Sequence, residues 1–383
     1  MNEKKRNHLT VYDIKIDFEK SSGSYVYDKN RGKKFLDFLS MFSSLPLGYQ
    51  HPIFDKSFEE KIIAVSKIRM ANNLFLSEEL IDFKMHFSQY LKHPYVHFTS
   101  TGALAVEAAL KSALFKKKVE KPVFWALEKA FHGINSWGFL TDKFGPTKER
   151  IDWYPDSDWQ NLNIDTMLKA LKDNEIPNEL VGIVIEPILC TSGDIYISVE
   201  KLKELSSLCR QHNICFILDE IQTGFGPTGK MWYADRVNLD YDILIFGKKS
   251  QIMGINVNEE YSSSFKSPLR ILEVTFDGDL IDAIRSDYIL KAYEKYNLLS
   301  LARSRELEIK DSLGGLFNNF RATGNLWAFD FDDQTDRDNF CNRCFESGLL
   351  VNKGGNSSVR MRPNLAVKDE EIEDMLKIIQ TVI

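Results

Sequence analysis

Four short apolar runs alternate with helical segments in the middle of this chain, and this alternation limits the fold more than any other feature. The runs cover residues 122–127, 181–186, 214–218 and 243–246. An amphipathic helix is predicted between two of them, at 199–212, with Leu202, Leu205, Leu208 and Cys209 on one face. Strands that alternate with helices form βαβ units, and these build a parallel sheet covered on both faces. The predicted fold class is therefore α/β, with a mostly parallel, doubly wound sheet.

The chain has 383 residues, which is more than one small hydrophobic core usually supports. Two strands around a turn are predicted within 24–37, and helices are predicted at 55–67, 77–92 and 103–116. After the sheet region we predict a long helical stretch, a short strand and two further helices, at 280–313, 325–331, 334–347 and 368–382. We therefore predict a large domain at 46–279, a smaller α+β domain at 280–383, and an N-terminal segment, 1–45, that joins the small domain.

Charge and cysteine content exclude several classes of function. The formal net charge of −6 gives no support for a nucleic-acid partner. No stretch approaches the roughly 18 apolar residues that indicate a membrane span. Cys341 and Cys344 have CxxC spacing, but no second Cys or His pair completes a zinc site. We therefore expect a cytoplasmic protein with reduced thiols, no membrane contact and no metal.

Carboxylates and lysines follow three of the predicted strands. Glu186 follows VGIVI, Asp219 follows ICFIL, and Lys248 and Lys249 follow ILIFG. In a doubly wound sheet, ligands bind outside the carboxyl ends of the strands. Each residue alone is equally well explained by a strand that becomes polar where a loop begins, but the three together favour a site.

A lysine and a carboxylate at one sheet edge match the requirements of pyridoxal phosphate (PLP). The amine forms a Schiff base with the aldehyde, and the carboxylate keeps the pyridine nitrogen protonated so that the ring acts as an electron sink. The run STGA at 100–103 precedes a predicted helix, whose free N–H groups would hold a phosphate, although alone it is also a common helix cap. Phe131 in FHG would supply a ring face, although alone it would more often be core.

Taken together, these motifs resemble those of the class III aminotransferases of PLP fold type I. The resemblance rests on STGALAVEAALK (100–111), FHG (131–133), EP (186–187), LDEIQTGFGPTG (218–229), DILIFGKK (242–249) and VRMRP (359–363), in this order over nearly the whole chain. It is greatest to the lysine ε-aminotransferase branch. The resemblance implies a homodimer with active sites at the subunit interface. It also implies that PLP carries an amino group from a small-molecule amino donor to a carbonyl acceptor.

The resemblance further implies a role for each matching residue. Lys248 would be the catalytic Schiff-base lysine, because it lies six residues after Asp242, and Asp219 would pair with the pyridinium nitrogen. Arg360 would bind a substrate carboxylate through a bidentate contact. The other cofactor contacts would come from Thr101, Gly102 and Ala103 at the phosphate, Phe131 on the ring, Glu186, Gln222 at the phenolic oxygen, and Thr275, which would reach across the dimer to the neighbouring phosphate.

Two substrate positions depart from the family's pattern. Ile134 stands where the ornithine- and lysine-type enzymes carry an arginine, and Thr191 stands where they carry the glutamate that pairs with the C-terminal arginine. Without that glutamate we expect Arg360 to stand free for an α-carboxylate, while Ile134 replaces an anion site by apolar surface. Lysine as the donor and 2-oxoglutarate as its partner are therefore disfavoured.

The sequence leaves two questions about the site open. Because side chains alternate faces at a strand end, we expect Lys248 to enter the cleft and Lys249 to face solvent or the phosphate side. An aminotransferase is the leading hypothesis, and a PLP-dependent decarboxylase, racemase or aminomutase of the same fold is the alternative. A non-catalytic relative that keeps the fold is the third reading.

Overall fold

A seven-stranded sheet forms the centre of the molecule in the computed structural model, which describes residues 12–134 and 158–383. Its strands lie in the order Tyr95–Thr99, Met253–Val257, Ile243–Phe246, Cys215–Asp219, Leu180–Ile185, Val123–Leu127 and Asp158–Leu162. The last five are parallel to one another, and only Met253–Val257 runs antiparallel to its neighbours. The predicted α/β class with a mostly parallel sheet is therefore confirmed.

Helices cover both faces of this sheet, which is why its central parallel strands are apolar throughout, whereas the edge strand Asp158–Leu162 carries polar residues. They are Lys56–Val65, Glu78–Ser88, Gly102–Lys117, Ile164–Asp173, Val199–Gln211, Tyr233–Val237 and Leu280–Lys295. Within Val199–Gln211, Leu202, Leu205 and Cys209 are fully buried, as the periodicity predicted. The helix Leu280–Lys295 buries Ala283, Ile284 and Ile289 in the same core as the sheet. The predicted domain boundary at residue 279 stays a prediction.

Two smaller sheets form a second core beside the large one. The first joins Tyr25–Asp28, Lys33–Asp37 and Leu349–Leu350, and the second joins Asn318–Thr323, Leu326–Asp330, Ser358–Met361 and Asn352–Gly354. The helices Leu298–Leu313, Gln334–Glu346 and Asp369–Val382 pack here, and a two-stranded ribbon, Ile188–Leu189 with Ile195–Tyr196, lies at the end of the large sheet. Strands near the N-terminus thus pair with the C-terminal part of the chain.

The structure differs from the predicted elements in several places, of which two follow. The single helical stretch expected at 280–313 is two helices, because Asn297 adopts a left-handed backbone conformation (φ 50°) between them. The strand Met253–Val257 was not predicted, because Gly254 and Asn256 interrupt its apolar pattern. None of the described helices is both long and apolar enough to span a bilayer.

Ser40 to Ser43 are four consecutive residues with positive φ values of 47°, 49°, 57° and 70°, although none of them is glycine. We call this segment the left-handed turn. The buried carboxylate of Asp37 fixes its start, since Oδ1 accepts hydrogen bonds from the backbone N–H groups of Leu39 and Ser40 at 2.9 and 2.8 Å. Tyr49 donates to Oδ2 of the same carboxylate at 2.7 Å. The turn places Met41 beside an open cleft that Lys248 also lines.

Candidate active site

A cavity of about 290 Å3 opens at the carboxyl ends of the parallel strands. It is lined by Ser100, Thr101, Gly102, Ala103, Phe131, Gly133, Glu186, Asp219, Ile221, Gln222, Lys248 and Met253. All but one of the residues predicted to bind the cofactor therefore meet in one place, although they are spread over about 150 positions of sequence. The volume lies near the lower end of the usual range for small-molecule pockets, roughly 300 Å3 and above.

Lys248 enters this cavity from a short 3-10 turn, Lys248–Ser250, that follows the strand Ile243–Phe246. Its backbone is left-handed (φ 55°), a conformation that is uncommon outside glycine and is often found at functional sites. Burial, and next the charge of Arg360, lower the pKa of the Lys248 amine from its ordinary value. Both effects favour the neutral amine, which is the form that acts as a nucleophile or a base.

The expectation that Lys249 faces solvent or the phosphate side is wrong. Its side chain is only 3% exposed, and Nζ donates a 3.1 Å hydrogen bond to the backbone carbonyl of Gln222. The alternation of a strand does not extend to this position, because the strand ends at Phe246 and the left-handed Lys248 turns the chain. Both lysines consequently point into the protein.

Asp219, the last residue of the strand Cys215–Asp219, is oriented by a partner that the sequence interpretation missed. His132 is fully buried, and its Nδ1 lies 2.8 Å from Asp219 Oδ2, while Oδ1 accepts the backbone N–H of Ile221 at 3.1 Å. The FHG motif had suggested only Phe131 for the site. The one sequence signal for His132 is its position between two residues that line the cavity.

Glu186 binds the backbone of the same motif. It follows the strand Leu180–Ile185, and its Oε1 accepts the N–H of Phe131 at 2.7 Å. Burial raises the pKa of this carboxyl group to about 7, partly opposed by His132 and reinforced by the negative charge of Asp219. Glu186 therefore positions Phe131 on the cavity wall and is poised to change its protonation state near neutral pH.

The floor of the cavity is the start of the helix Gly102–Lys117. Thr101 caps this helix, since its Oγ1 accepts the N–H of Leu104 at 3.2 Å, and the first two helical residues, Gly102 and Ala103, line the cavity. Gly133, with φ 93°, lies so close to Ala103 that an added Cβ would come within 3.3 Å of its Cα. The helix start and the FHG loop are therefore held together as a ready anion site.

Arg360 lies in the strand Ser358–Met361 and does not line the cavity. Its guanidinium is buried and donates to the carbonyl oxygens of Cys190 at 2.6 Å and Lys353 at 3.3 Å, so its described partners are neutral groups, and its expected availability to an α-carboxylate stays a prediction. Gly354 allows this placement, because a Cβ there would meet Arg360 Cδ at 2.9 Å. Burial, followed by the charge of Arg362, lowers the pKa of Arg360 to about 10.

The remaining predicted residues lie outside the cavity lining. Thr191 is nearly buried beside Cys190, and its carbonyl accepts the N–H of Gly355 at 3.1 Å. Ile134 is 66% exposed. Thr275 is exposed in a loop that Ser100 contacts, with Ser100 Oγ donating to the carbonyl of Phe276 at 2.5 Å. The substrate roles of Arg360, Thr191 and Ile134, and the cofactor role of Thr275, stay predictions.

The residues present fit PLP. Gln222 Oε1 is buried and has no hydrogen-bond partner in the described part of the chain, and a phenolic oxygen that shares a proton would satisfy it. An amine with a lowered pKa, a buried carboxylate and a helix start supply the three polar contacts that an aldehyde, a ring nitrogen and a phosphate need.

Comparisons with known proteins agree with this geometry. The profile of the Aminotransferase class-III family matches residues 8–383. The chain is 28% identical to an L-lysine-epsilon aminotransferase of Amycolatopsis lactamdurans, over 96% of this chain and 91% of the relative. It is also 28% identical to an acetylornithine aminotransferase of Bacillus cereus, over 96% and 95%. A solved lysine aminotransferase from Mycobacterium tuberculosis, in the internal aldimine form, superimposes with a TM-score of 0.90 at 25% identity, covering 99% of this chain and 97% of that one.

Fold and site therefore define a PLP-dependent enzyme of fold type I that transfers amino groups. The chain belongs to the class III aminotransferase family, and it is similar to the lysine ε-aminotransferases within it.

Proposed function

We propose that this enzyme transfers the amino group of a small amino acid with a single carboxylate, and that Lys248 is the lysine to which the cofactor is attached. The observation that carries the proposal is the meeting of Lys248, Asp219, Gln222 and the helix start on one cavity. When bound, PLP supplies an electron sink for negative charge that develops at the substrate's α carbon.

Side chains of the protein supply proton transfer and cofactor binding. With PLP bound, the Lys248 amine would take a proton from the substrate's α carbon and deliver it to C4′ of the cofactor, since burial lowers its pKa and favours the neutral form that acts as a base. Asp219, which His132 contacts, would keep a proton on the ring nitrogen. Gln222 would contact the phenolic oxygen, Phe131 the ring, and Thr101, Gly102 and Ala103 the phosphate.

Arg360 supports the choice of substrate class. Its present partners are two neutral carbonyl oxygens rather than a carboxylate. A substrate carboxylate competes well with them, because hydrogen bonds between charged partners are about twice as strong as neutral ones. With Thr191 next to Cys190 and isoleucine at position 134, we infer one anion site, for an α-carboxylate, and an apolar side chain beyond it.

A homodimer is supported by a group of exposed apolar side chains between residues 63 and 85, which we call the apolar stripe. Its members are Ile63, Ile68, Leu74, Phe75, Leu76 and Met85, each at least 63% exposed. Large exposed apolar patches mark interaction sites, and these six side chains lie within one short stretch of sequence. We propose that a second copy covers the stripe and brings Thr275 to the neighbouring phosphate. The cytoplasmic location and the domain boundaries stay predictions.

The attachment site is tested by borohydride reduction of the PLP-loaded protein and fragmentation of its peptides by mass spectrometry. We expect the cofactor mass on Lys248. The variant Lys248→Ala should lose both this adduct and the visible absorbance, while Lys230→Ala, at an exposed lysine, should keep them. An adduct that persists in Lys248→Ala would contradict the assignment.

The reaction is tested by adding single L-amino acids to the loaded enzyme. Formation of pyridoxamine phosphate with an equal amount of oxo acid is expected. Carbon dioxide, or an inverted α carbon without pyridoxamine phosphate, would instead indicate the decarboxylase or racemase alternative.

A further inference from the structure

Lys249 is a buried ionisable group that the proposed reaction leaves without a role. Its side chain is 3% exposed, and its one described hydrogen bond goes to the neutral carbonyl of Gln222. No carboxylate of the described residues forms an ion pair with it. Asp194, whose charge acts on Lys249, is instead paired with Arg362 in a buried ion pair.

A buried, unpaired lysine destabilises the folded state, so packing alone does not explain its presence. Burial of an unpaired ammonium is strongly unfavourable, and the neighbouring charges of Arg362 and Lys248 add to this. Burial first, and Arg362 next, lower the pKa of Lys249 well below its ordinary value. An apolar side chain of similar length would occupy the same volume without these penalties, so the donor itself is the feature to explain.

The position of the donor connects two parts of the site. Lys249 immediately follows Lys248, whose left-handed backbone starts the turn Lys248–Ser250. The acceptor belongs to Gln222, on the loop that leaves the neighbouring strand, Cys215–Asp219. The hydrogen bond thus joins the two strand-end loops that carry the attachment lysine and the side chain predicted to face the phenolic oxygen.

We propose that Lys249 is a positioning residue that holds Lys248 and Gln222 in a fixed relation across the cofactor cavity, through the hydrogen bond from its Nζ to the Gln222 carbonyl. The inference rests on the proposed function, in which Lys248 attaches the cofactor. Because Lys248 acts only on the aldehyde form, a displaced Lys248 weakens binding of PLP more than binding of pyridoxamine phosphate, which makes no covalent bond.

The test compares dissociation constants of PLP and pyridoxamine phosphate, measured by fluorescence quenching on cofactor-free protein. Lys249→Met keeps the length of the side chain and removes the donor. We expect its PLP affinity to fall roughly five- to tenfold more than its affinity for pyridoxamine phosphate, in line with the loss of one buried hydrogen bond. Lys230→Met changes an exposed lysine on the loop that also carries Gln222, and it should keep the wild-type ratio.

If Lys249→Met gives no folded protein, Lys249→Gln is measured in its place, because its amide is one bond too short for the carbonyl and should lower the same ratio. A wild-type ratio, or an equal loss of both affinities, would overturn the proposal and leave Lys249 with a purely structural role. Covalent cofactor in Lys248→Ala would instead refute the proposed function. The two failures are therefore distinguishable.

Discussion

The guanidinium of Arg360 donates a 2.6 Å hydrogen bond to the backbone carbonyl of Cys190, the residue that precedes Thr191. In the ornithine- and lysine-type enzymes that this chain resembles, the position of Thr191 is a glutamate, which pairs with the arginine. Here a neutral carbonyl holds it. The arginine is ordered and buried without being neutralised, so it can exchange one carbonyl for a ligand carboxylate without leaving an acid unpaired.

Thr191→Glu should reintroduce a competing carboxylate. We expect the reaction of bound PLP with aminooxyacetate, which carries a carboxylate, to slow roughly tenfold, because a charged partner adds about 1.5–3 kcal/mol to a hydrogen bond. Hydroxylamine, which has no carboxylate, should react as before. Thr191→Gln is the matched neutral control, and equal slowing in both variants would mean that charge at this position is irrelevant.

Arg360→Met should remove the anion site itself. Loss of one partner of a buried charge contact corresponds to roughly 30-fold or more in affinity, so aminooxyacetate should lose its advantage over hydroxylamine. Stopped-flow absorbance measures both rates. Arg343→Met, at an exposed arginine on a distant helix, should leave the rates unchanged. Unaltered discrimination in Arg360→Met would remove this residue from the substrate site.

His132→Phe should weaken the binding of PLP, because it removes the imidazole that lies 2.8 Å from the Asp219 carboxylate and orients it. A hydrogen bond to a charged group contributes about 1.5–3 kcal/mol, so we expect PLP affinity to fall roughly tenfold or more. Equilibrium dialysis gives the constant. His93→Phe removes a half-buried histidine that does not line the cavity and serves as the control. Full affinity in His132→Phe would show that Asp219 needs no orienting partner.

Glu186 should make stability depend on pH. Its pKa is raised from the ordinary 4.5 to about 7 in the folded protein, so the folded state binds the extra proton between these values. The favourable contribution is therefore complete below about pH 4.5 and is lost as pH rises through 7, by at most about 3 kcal/mol.

Glu186→Gln mimics the protonated acid and can keep the acceptor for Phe131. Relative to the parent, this variant should gain stability between pH 5 and pH 8 in urea unfolding of the cofactor-free protein. The effect of Glu220, whose pKa burial also raises to about 7, cancels in this comparison. A difference that does not change with pH would mean that Glu186 is already ionised throughout.

Phe75→Glu should split the proposed dimer, because it places a charge in the apolar stripe. Phe75 is 67% exposed, so the fold of the single chain should tolerate the change, and light scattering should report half the parent mass. Leu307→Glu, at an equally exposed leucine, is the control. A parent mass that is already monomeric would contradict the dimer, as would an unchanged dimer in Phe75→Glu.

Four of the five parallel strands could be predicted from sequence because each is an uninterrupted apolar run: 214–218 and 243–246 match the observed strands to within one residue. The fifth, Asp158–Leu162, was missed because its residues are mostly polar. Lys248 and Asp219 followed from the ends of those runs. The orientation of Lys249 did not, because strand alternation fails beyond a left-handed residue. His132 was missed because its partner lies 87 positions away in sequence and no local pattern connects them.

The partners of Arg360 were beyond prediction for a related reason. They are backbone carbonyls, which every residue offers, and only the folded chain selects those of Cys190 and Lys353. The departures at Ile134 and Thr191 led to the prediction of an altered substrate side, but they say only which side chains are missing. What takes their place is a property of the tertiary structure.

The left-handed turn affects which substitutions this sequence should accumulate during evolution. A residue other than glycine in this conformation is disfavoured by roughly 1–2 kcal/mol, so at Ser40 to Ser43 random change should accumulate glycine or asparagine on thermodynamic grounds alone. Methionine and phenylalanine stand there instead, both more than 40% exposed, and Met41 lines the cleft that Lys248 also lines. Selection for what enters that cleft, rather than for a stable chain, would keep Met41. A survey of natural variants should therefore find position 41 varying with substrate preference while Asp37 and Tyr49 remain constant.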